Sequence, residues 1–495
     1  MKRLDCLDGL RGVLALYVLV THMAPFALLP PVLASLLSHG EAAVDMFFVL
    51  SGLVITASIE HFEYRPAPFL LARAARILPV FVPVFAFAIL VQPLPMHFAA
   101  MPWIGPDSTA RSIWSDGWPA TWVVQIGLHL TMLHGVFPHI LLPDLWVSFL
   151  GSAWSLSTEW QFYALVAVLG ARLGRGQKNL WRLAALLLAL AALGAAWQSL
   201  ADRDWTFSRA FLPNKAAYFA LGVASGALLR SPRAWRRFAA VLAAVVALCL
   251  LRENTFKVLV PPVWTICLLA QLSPAPRRVA RQGLRPIRAV LDNPASRWLG
   301  GVSYSLYLVN EPLQKVLGVA LAAVVHGNGR LFTVLWLPGS VVLPLLVAWW
   351  LRVVIEVPAM RYGRATARAL LDLGKPWVMA PVAGFDPFAP APPRLPPGLV
   401  PMGFRADIPF RDTAHELELA STAVVRLDAD RAVAQDQAEW TRGLCARYCP
   451  HRAGDAGGRC ATSPEACLAW LTQHGYVRPD PRDPPPACDP TPLPA

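Results

Sequence analysis

Two stretches of this 495-residue chain, Val80–Val91 and Leu183–Ala196, carry no charged residue, and other long apolar runs surround them. No other feature limits the fold so strongly. A chain that folds in water scatters its apolar residues over one face of each element. Unbroken runs belong in lipid, where a helix satisfies every backbone N–H and C=O within itself. The composition agrees, with 56% apolar and 15% charged residues. The sequence therefore predicts an all-α polytopic membrane protein.

The formal charge of +13 is uneven. Residues 371–495 hold 12 Lys/Arg against 15 Asp/Glu, and residues 1–370 hold 32 against 16. The basic excess lies beside the apolar runs, as the positive-inside bias of membrane proteins requires, and no nucleic-acid module accompanies it. Met1-Lys2-Arg3 resembles the start of a signal peptide, but Asp5, Asp8 and Arg11 follow without a clear small-x-small cleavage site. The first helix is read as retained.

A spanning helix needs about 20 apolar residues. Candidates are 10–30, 40–58, 77–92, 150–170, 181–200, 214–230, 237–252, 257–272, 298–325 and 331–355. A weaker stretch, 121–142, contains Pro138 and three histidines. Counting it as a span would turn the later basic loops outward, so it is expected to lie at the outer surface or to dip in as a re-entrant element. The expected architecture is about ten transmembrane helices plus that segment, with both termini cytoplasmic. Residues 1–370 form the membrane domain. A Pro-rich linker over 371–405 and a small polar, partly disordered tail over 406–495 follow.

Ionisable residues inside a bilayer are costly and face a protein interior or a watery cavity, so their positions are informative. Arg11 and His22 are eleven residues apart, which puts both on one helix face about 16 Å apart along the axis. Asp8 precedes Arg11 by one turn on that face. In the second helix Asp45 falls about 6 Å below the outer surface and Ser51 near the midplane. In W-S-L-S-T-E-W-Q-F-Y, Glu159 falls about 13 Å below it. His22, Ser51 and Glu159 thus share a depth, with Asp45 within a turn or two. A histidine beside a carboxylate, away from bulk water, suits proton abstraction from a hydroxyl. Each residue also has a plain alternative. His22 can be an interhelical hydrogen bond, Asp45 and Glu159 counter-ions for buried cations, Ser51-Gly52 a packing contact, and Arg73 and Arg76 markers of the cytoplasmic side. The histidines of 121–142 are spaced by five, about 140° apart on a helix, and as a helix they do not converge on a metal.

Six stretches in order resemble one family, the integral-membrane acyltransferases of acyltransferase family 3, over roughly residues 4–364. They are Leu7–His22, with its L-D-G-L-R-G start and ten residues between Arg11 and the histidine; Gly40–Gly52; the R-x-x-R step of Arg73 and Arg76 with Ile77 and Pro79; Trp154–Tyr163; Ser303–Leu308; and Glu356 with Pro358. The family O-acylates bacterial surface glycans and some small molecules. The resemblance implies a cytoplasmic acyl-CoA donor, acetyl-CoA first, and a glycan or glycolipid hydroxyl acceptor across the bacterial inner membrane. It implies donor-phosphate binding by Arg11, Arg73 and Arg76, and catalysis by His22 as base or acyl carrier, oriented by Glu159 or Asp45. Membrane lipids are the other expected partners, and no metal is expected. There is one departure. Where the family has a histidine after Y-S-x-Y-L, this chain has Asn310. An amide cannot take a proton at neutral pH, so no acid–base role is carried onto it.

Cys445, Cys449, Cys460, Cys467 and Cys488 lie late, with His451 among them, but their spacing matches no standard zinc finger. The rival readings are a transporter or flippase of a glycan or lipid-linked intermediate and a non-catalytic partner that keeps the fold. Consumption of the acyl donor separates the first from an enzyme.

Overall fold

The computed structural model describes residues 5–114, 117–173, 176–251, 256–272 and 278–373. Fifteen α-helices follow in chain order among them: α1 (Asp5–Met23), α2 (Pro31–Leu36), α3 (Gly40–His61), α4 (Pro66–Val91), α5 (Ala110–Ile113), α6 (Trp122–Leu130), α7 (Trp154–Leu173), α8 (Gln177–Leu200), α9 (Leu212–Arg230), α10 (Trp235–Leu251), α11 (Val260–Leu272), α12 (Arg278–Leu291), α13 (Pro294–Val325), α14 (Gly329–Leu351) and α15 (Val357–Leu373). One π turn, Arg352–Glu356, joins α14 to α15. The β structure described is a single isolated bridge between Pro138 and Phe207.

Local chemistry sets many of the boundaries. Proline opens α2, α4 and α13, where its missing N–H costs nothing. Asn293 and Asn328 cap α13 and α14, their side-chain oxygens accepting from Ser296 N at 2.8 Å and Leu331 N at 3.1 Å. α13 ends where His326 and Gly327 turn to positive φ, 46° and 79°.

The protein is a multi-pass, all-helical membrane protein, but the expected number of spans needs correction. Among the described residues six helical stretches are long and apolar enough to cross a bilayer: Cys6–Phe26, Pro31–His61, Pro66–Val91, Lys178–Leu200, Pro294–Val325 and Gly329–Leu371. The other four expected spans correspond to α7, α9, α10 and α11. α10 and α11 have 17 and 13 residues, short of the roughly 20 that hydrocarbon thickness demands. α7 and α9 have 20 and 19 residues, but polar side chains interrupt them: Ser155, Ser157, Thr158, Glu159 and Gln161 in one, Asn214 and Lys215 in the other. α9 is buried along most of its length and serves as an interior strut. The loop-by-loop orientation that assumed ten spans loses its basis with that count. No linker or tail segment is identified among the described residues; the expected linker beyond Leu373, the tail and its cysteines lie outside them.

Packing follows membrane rules. α1 runs along α13, α3 and α8 run along α9, α14 runs along α13, and α15 runs along α4. Apolar side chains alone give helices little reason to associate in lipid, so close backbone approach at small residues matters. A Cβ on Gly300 of α13 would stand 1.9 Å from the Asp8 carbonyl oxygen of α1. One on Gly222 of α9 would stand 2.1 Å from the Val49 carbonyl oxygen of α3. Only glycine permits these contacts. One end of the bundle gathers the end of α3, the start of α4, the end of α9 and α15: Arg230 pairs with Glu60 at 2.6 Å, and Arg65 donates to the Leu371 carbonyl at 2.6 Å. At the other end Trp336 of α14 donates to the Met23 carbonyl of α1 at 2.9 Å.

Candidate active site

A cavity of about 510 Å³ opens between α1, α3, α4, α7, α13 and α15, within the range of small-molecule sites. Helix periodicity builds its walls. On α7, Ser155, Glu159 and Tyr163 stand one turn apart and line one stripe; on α4, Arg73 and Arg76 do the same, and on α15, Arg364 and Arg368. Arg11 enters from α1, Ser51 and Ser58 from α3, and Tyr304 and Tyr307 from α13. The described lining thus holds five arginines and one carboxylate, Glu159.

Glu159 is held firmly. Its Oε1 accepts from Ser51 Oγ at 2.7 Å and from the Tyr163 hydroxyl. Arg11 lies in the electrostatic reach of Glu159, Asp8 and Glu356, and of Arg76 with the opposite sign. Arg73 donates through Nη2 to Ser58 Oγ, and its guanidinium carbon lies 5.7 Å from the Tyr163 ring centroid. Its Nε is buried with no acceptor among the described residues. Arg76 donates to the Met360 sulfur at 3.4 Å, a weak acceptor. Two fixed guanidinium groups thus keep donor capacity, and an orphan buried donor is costly unless something fills it. A polyanionic ligand such as the phosphates of a nucleotide thioester fits this wall. The late motif positions the wall too: Tyr304 donates to the Ile77 carbonyl at 2.6 Å, and Ser305 donates to Glu356 at 2.8 Å.

His22 is not among the residues lining the cavity. It is half-buried on α1, and its Nδ1 lies 2.9 Å from Oδ1 of Asn310 on α13. The connection to the cavity runs through one turn of α13. Tyr307 lines the wall, its hydroxyl bonds Ser155 Oγ at 2.8 Å, and its carbonyl accepts from Asn310 Nδ2 at 2.6 Å. The structure therefore brings Arg11, Ser51, Arg73, Arg76 and Glu159 around one space, with His22 one residue removed from it.

Asp45 goes elsewhere. Its Oδ1 accepts from Lys215 of α9 at 2.6 Å, and the same ammonium reaches Glu41 at 2.8 Å. Glu41 also holds Lys257 at 2.6 Å and Arg209 at 2.8 Å. This is an ion network between the starts of α3 and α9. Sequence reasoning passed over Lys215, although a lysine followed by an apolar run is a readable signal. It also passed over Tyr163, which ends the very motif that carries Glu159.

The histidines of the 121–142 segment form a second polar cluster. α6 has nine residues and is too short to cross a bilayer. It stops at Leu130, and Met132 takes φ +59°, which folds the chain back. His129 and His134 then stack, ring centroids 4.0 Å apart and planes 2° apart. The 140° separation of a continuous helix does not apply because the helix has ended between them. Both rings are buried; desolvation lowers His129 to about 4 and pushes His134 well down.

Comparison with known proteins assigns the fold. The family model described as an acyltransferase domain, that of acyltransferase family 3, matches residues 4–353. The chain is 25% identical over 410 residues to a Komagataeibacter xylinus protein named as a membrane-bound transacylase, BcsY, covering 76% of this chain and 88% of that one. It is 36% identical over 85 residues to "Protein 2 in picA locus" of Rhizobium radiobacter, covering 16% of this chain and 41% of that one. No solved structure matches the chain significantly. With that model laid over the arginine cavity, His22 and both α13 motif tyrosines, the chain belongs to the membrane-bound acyltransferase family 3: an O-acyltransferase that takes an acyl-CoA type of donor and a surface-exposed acceptor.

Proposed function

We propose that the chain moves an acetyl group from cytoplasmic acetyl-CoA to a hydroxyl of an exported or cell-surface glycan, at the inner membrane of a bacterium. The observation that carries this reading is the cavity wall: five arginines around one carboxylate, with a buried Arg73 Nε left without an acceptor. A donor with a pyrophosphate and a further phosphate is the ligand that such a wall favours. The same end of the bundle gathers Arg65, Arg230, Arg364 and Arg368, which supports placing it, with the N-terminus, in the cytoplasm. The printed name of the Komagataeibacter relative, a transacylase, agrees with group transfer.

His22 acts as general base. Its free ring nitrogen takes the proton of the acceptor hydroxyl, and the oxygen attacks the thioester carbonyl carbon. The C–S bond breaks, and the leaving thiolate takes the proton back from the imidazolium. Glu159 holds Ser51 and Tyr163 in the donor cavity and offsets part of its positive charge. Asp45 acts from a distance, by fixing Lys215 and so the register of α3 against α9. Replacing His22 with Ala removes the base. Mass spectrometry of surface glycans from cells carrying H22A is expected to show loss of the acyl ester at normal levels of inserted protein. Unchanged ester content at those levels refutes the mechanism.

A further inference from the structure

Asn310 stands at the place where a histidine follows the Y-S-x-Y-L motif in the family, and the chain spends a wholly buried amide there. Both sides of that amide are engaged. Nδ2 donates to the carbonyls of Leu306 at 3.1 Å and Tyr307 at 2.6 Å, one turn back on the same helix. Carbonyl oxygens only accept, so the NH₂ group must face them and Oδ1 must face away. Oδ1 is the atom that meets His22 Nδ1 at 2.9 Å. An amide oxygen also only accepts, so the bond exists only when Nδ1 of His22 carries a hydrogen.

We infer that Asn310 is a positioning residue that locks the neutral imidazole of His22 as the Nδ1–H tautomer and keeps the Nε2 lone pair free for the acceptor hydroxyl. This rests on the reading of His22 as the base. It gives the amide a task that a proton-transferring residue would not serve: selection of the ring nitrogen that reacts, with no charge placed beside it. A carboxylate would select the same tautomer but would also stabilise the imidazolium.

Other ionisable groups on the helices packed against α1 are committed elsewhere. On α13, Glu311 accepts from the backbone N–H groups of Gly151 and Ser152, and Lys315 donates to the Gln92 carbonyl at 2.8 Å. On α3, Glu41 and Asp45 hold Lys215. Tyr17 on α1 itself donates to the Leu36 carbonyl at 2.7 Å. Arg285 and Arg288 of α12 and Arg297 of α13 belong to the Arg11 end of α1, where Gly9 meets Leu291 and Gly12 meets Gly300. Arg330 of α14 is exposed. Asn310 is the polar side chain with a described hydrogen bond to the His22 ring.

The test has two parts. Full-length protein labelled with nitrogen-15 histidine is compared with its H22Q variant to assign the His22 signals by solid-state NMR. The expected result is a protonated Nδ1 and an unprotonated Nε2 in the native protein, and a mixture of tautomers in N310A. In parallel, transfer of label from radiolabelled acetyl-CoA to the carbohydrate of membrane vesicles is followed from about pH 5 to about pH 8. N310A is expected to lower kcat by on the order of tenfold with KM for acetyl-CoA unchanged, because it leaves the arginine wall intact. N310D is expected to retain transfer but to move the acid limb of the profile up by about one pH unit, the effect of a neighbouring carboxylate. A native His22 protonated on Nε2, or an N310D profile that superimposes on the native one, overturns the inference. Full activity in H22Q instead overturns the base reading, while the nitrogen spectra of the native protein still decide the tautomer.

Discussion

Lys215 is 3% exposed and holds two carboxylates, the nearer of them a wholly buried Asp45. Removing one partner of such a pair leaves the other charged and desolvated, which costs about 3–5 kcal/mol, whereas replacing both with apolar residues costs far less. Lys215→Met is therefore expected to lower the thermal midpoint of the detergent-solubilised protein sharply, and Lys215→Met with Asp45→Leu to recover most of it. A double variant no more stable than the single one contradicts that account. The charges themselves stood out in the sequence because apolar surroundings make them conspicuous. Which charge meets which did not, because it depends on the register between α3 and α9. Helix arithmetic gives the depth of Asp45 but not the identity of its neighbour. Asn310 has the same history: the motif marked its place, while its bond to His22 exists only once α1 lies against α13.

At the scale of elements, two devices carry the site. The first is the backbone contact of α1 with α13 at Gly300, which sets Arg11, His22 and Asn310 in register. Gly300→Val adds side-chain atoms where 1.9 Å is available and is expected to destabilise the protein by about 1–3 kcal/mol or more, read as reduced insertion and a lower thermal midpoint. Unchanged stability shows that the helices are not held so closely. The second is the fold-back after α6. His129 is neutral in the fold and lowered from 6.5 to about 4 by burial, while the unfolded chain protonates near 6.5. The folded state thus binds fewer protons below that point. Its stability is full above about pH 6.5 and is lost as pH falls towards 4, by about 2 kcal/mol at pH 5. His129→Phe keeps the stack on Phe85 and is expected to narrow the gap between thermal midpoints at pH 7 and pH 5. An equal gap in both proteins contradicts it. Hydropathy revealed that helices were present here and elsewhere, but not where α6 stops. That stop depends on a single positive φ at Met132, a residue with no turn signature.

For the whole molecule, apolar runs fixed the class of fold, and in α7 and α9 they misled the count of spans. Polar residues that make a helix a poor membrane span are the same ones that make it a good wall for a cavity. α7 devotes Ser155, Glu159 and Tyr163 to that wall, and α9 is buried among its neighbours. The resulting molecule has an arginine-rich cavity at one end of α1 and a tethered imidazole towards the other. Acyl transfer across a membrane needs this separation, since the thioester and the alcohol arrive from opposite sides. Inverted membrane vesicles, which expose the cytoplasmic face, test it most directly when supplied with radiolabelled acetyl-CoA. The account predicts covalent label on vesicle carbohydrate, none of it in H22Q, and a KM for acetyl-CoA raised about tenfold in Arg73→Gln with kcat largely kept. Label transferred at the native rate by H22Q would contradict it.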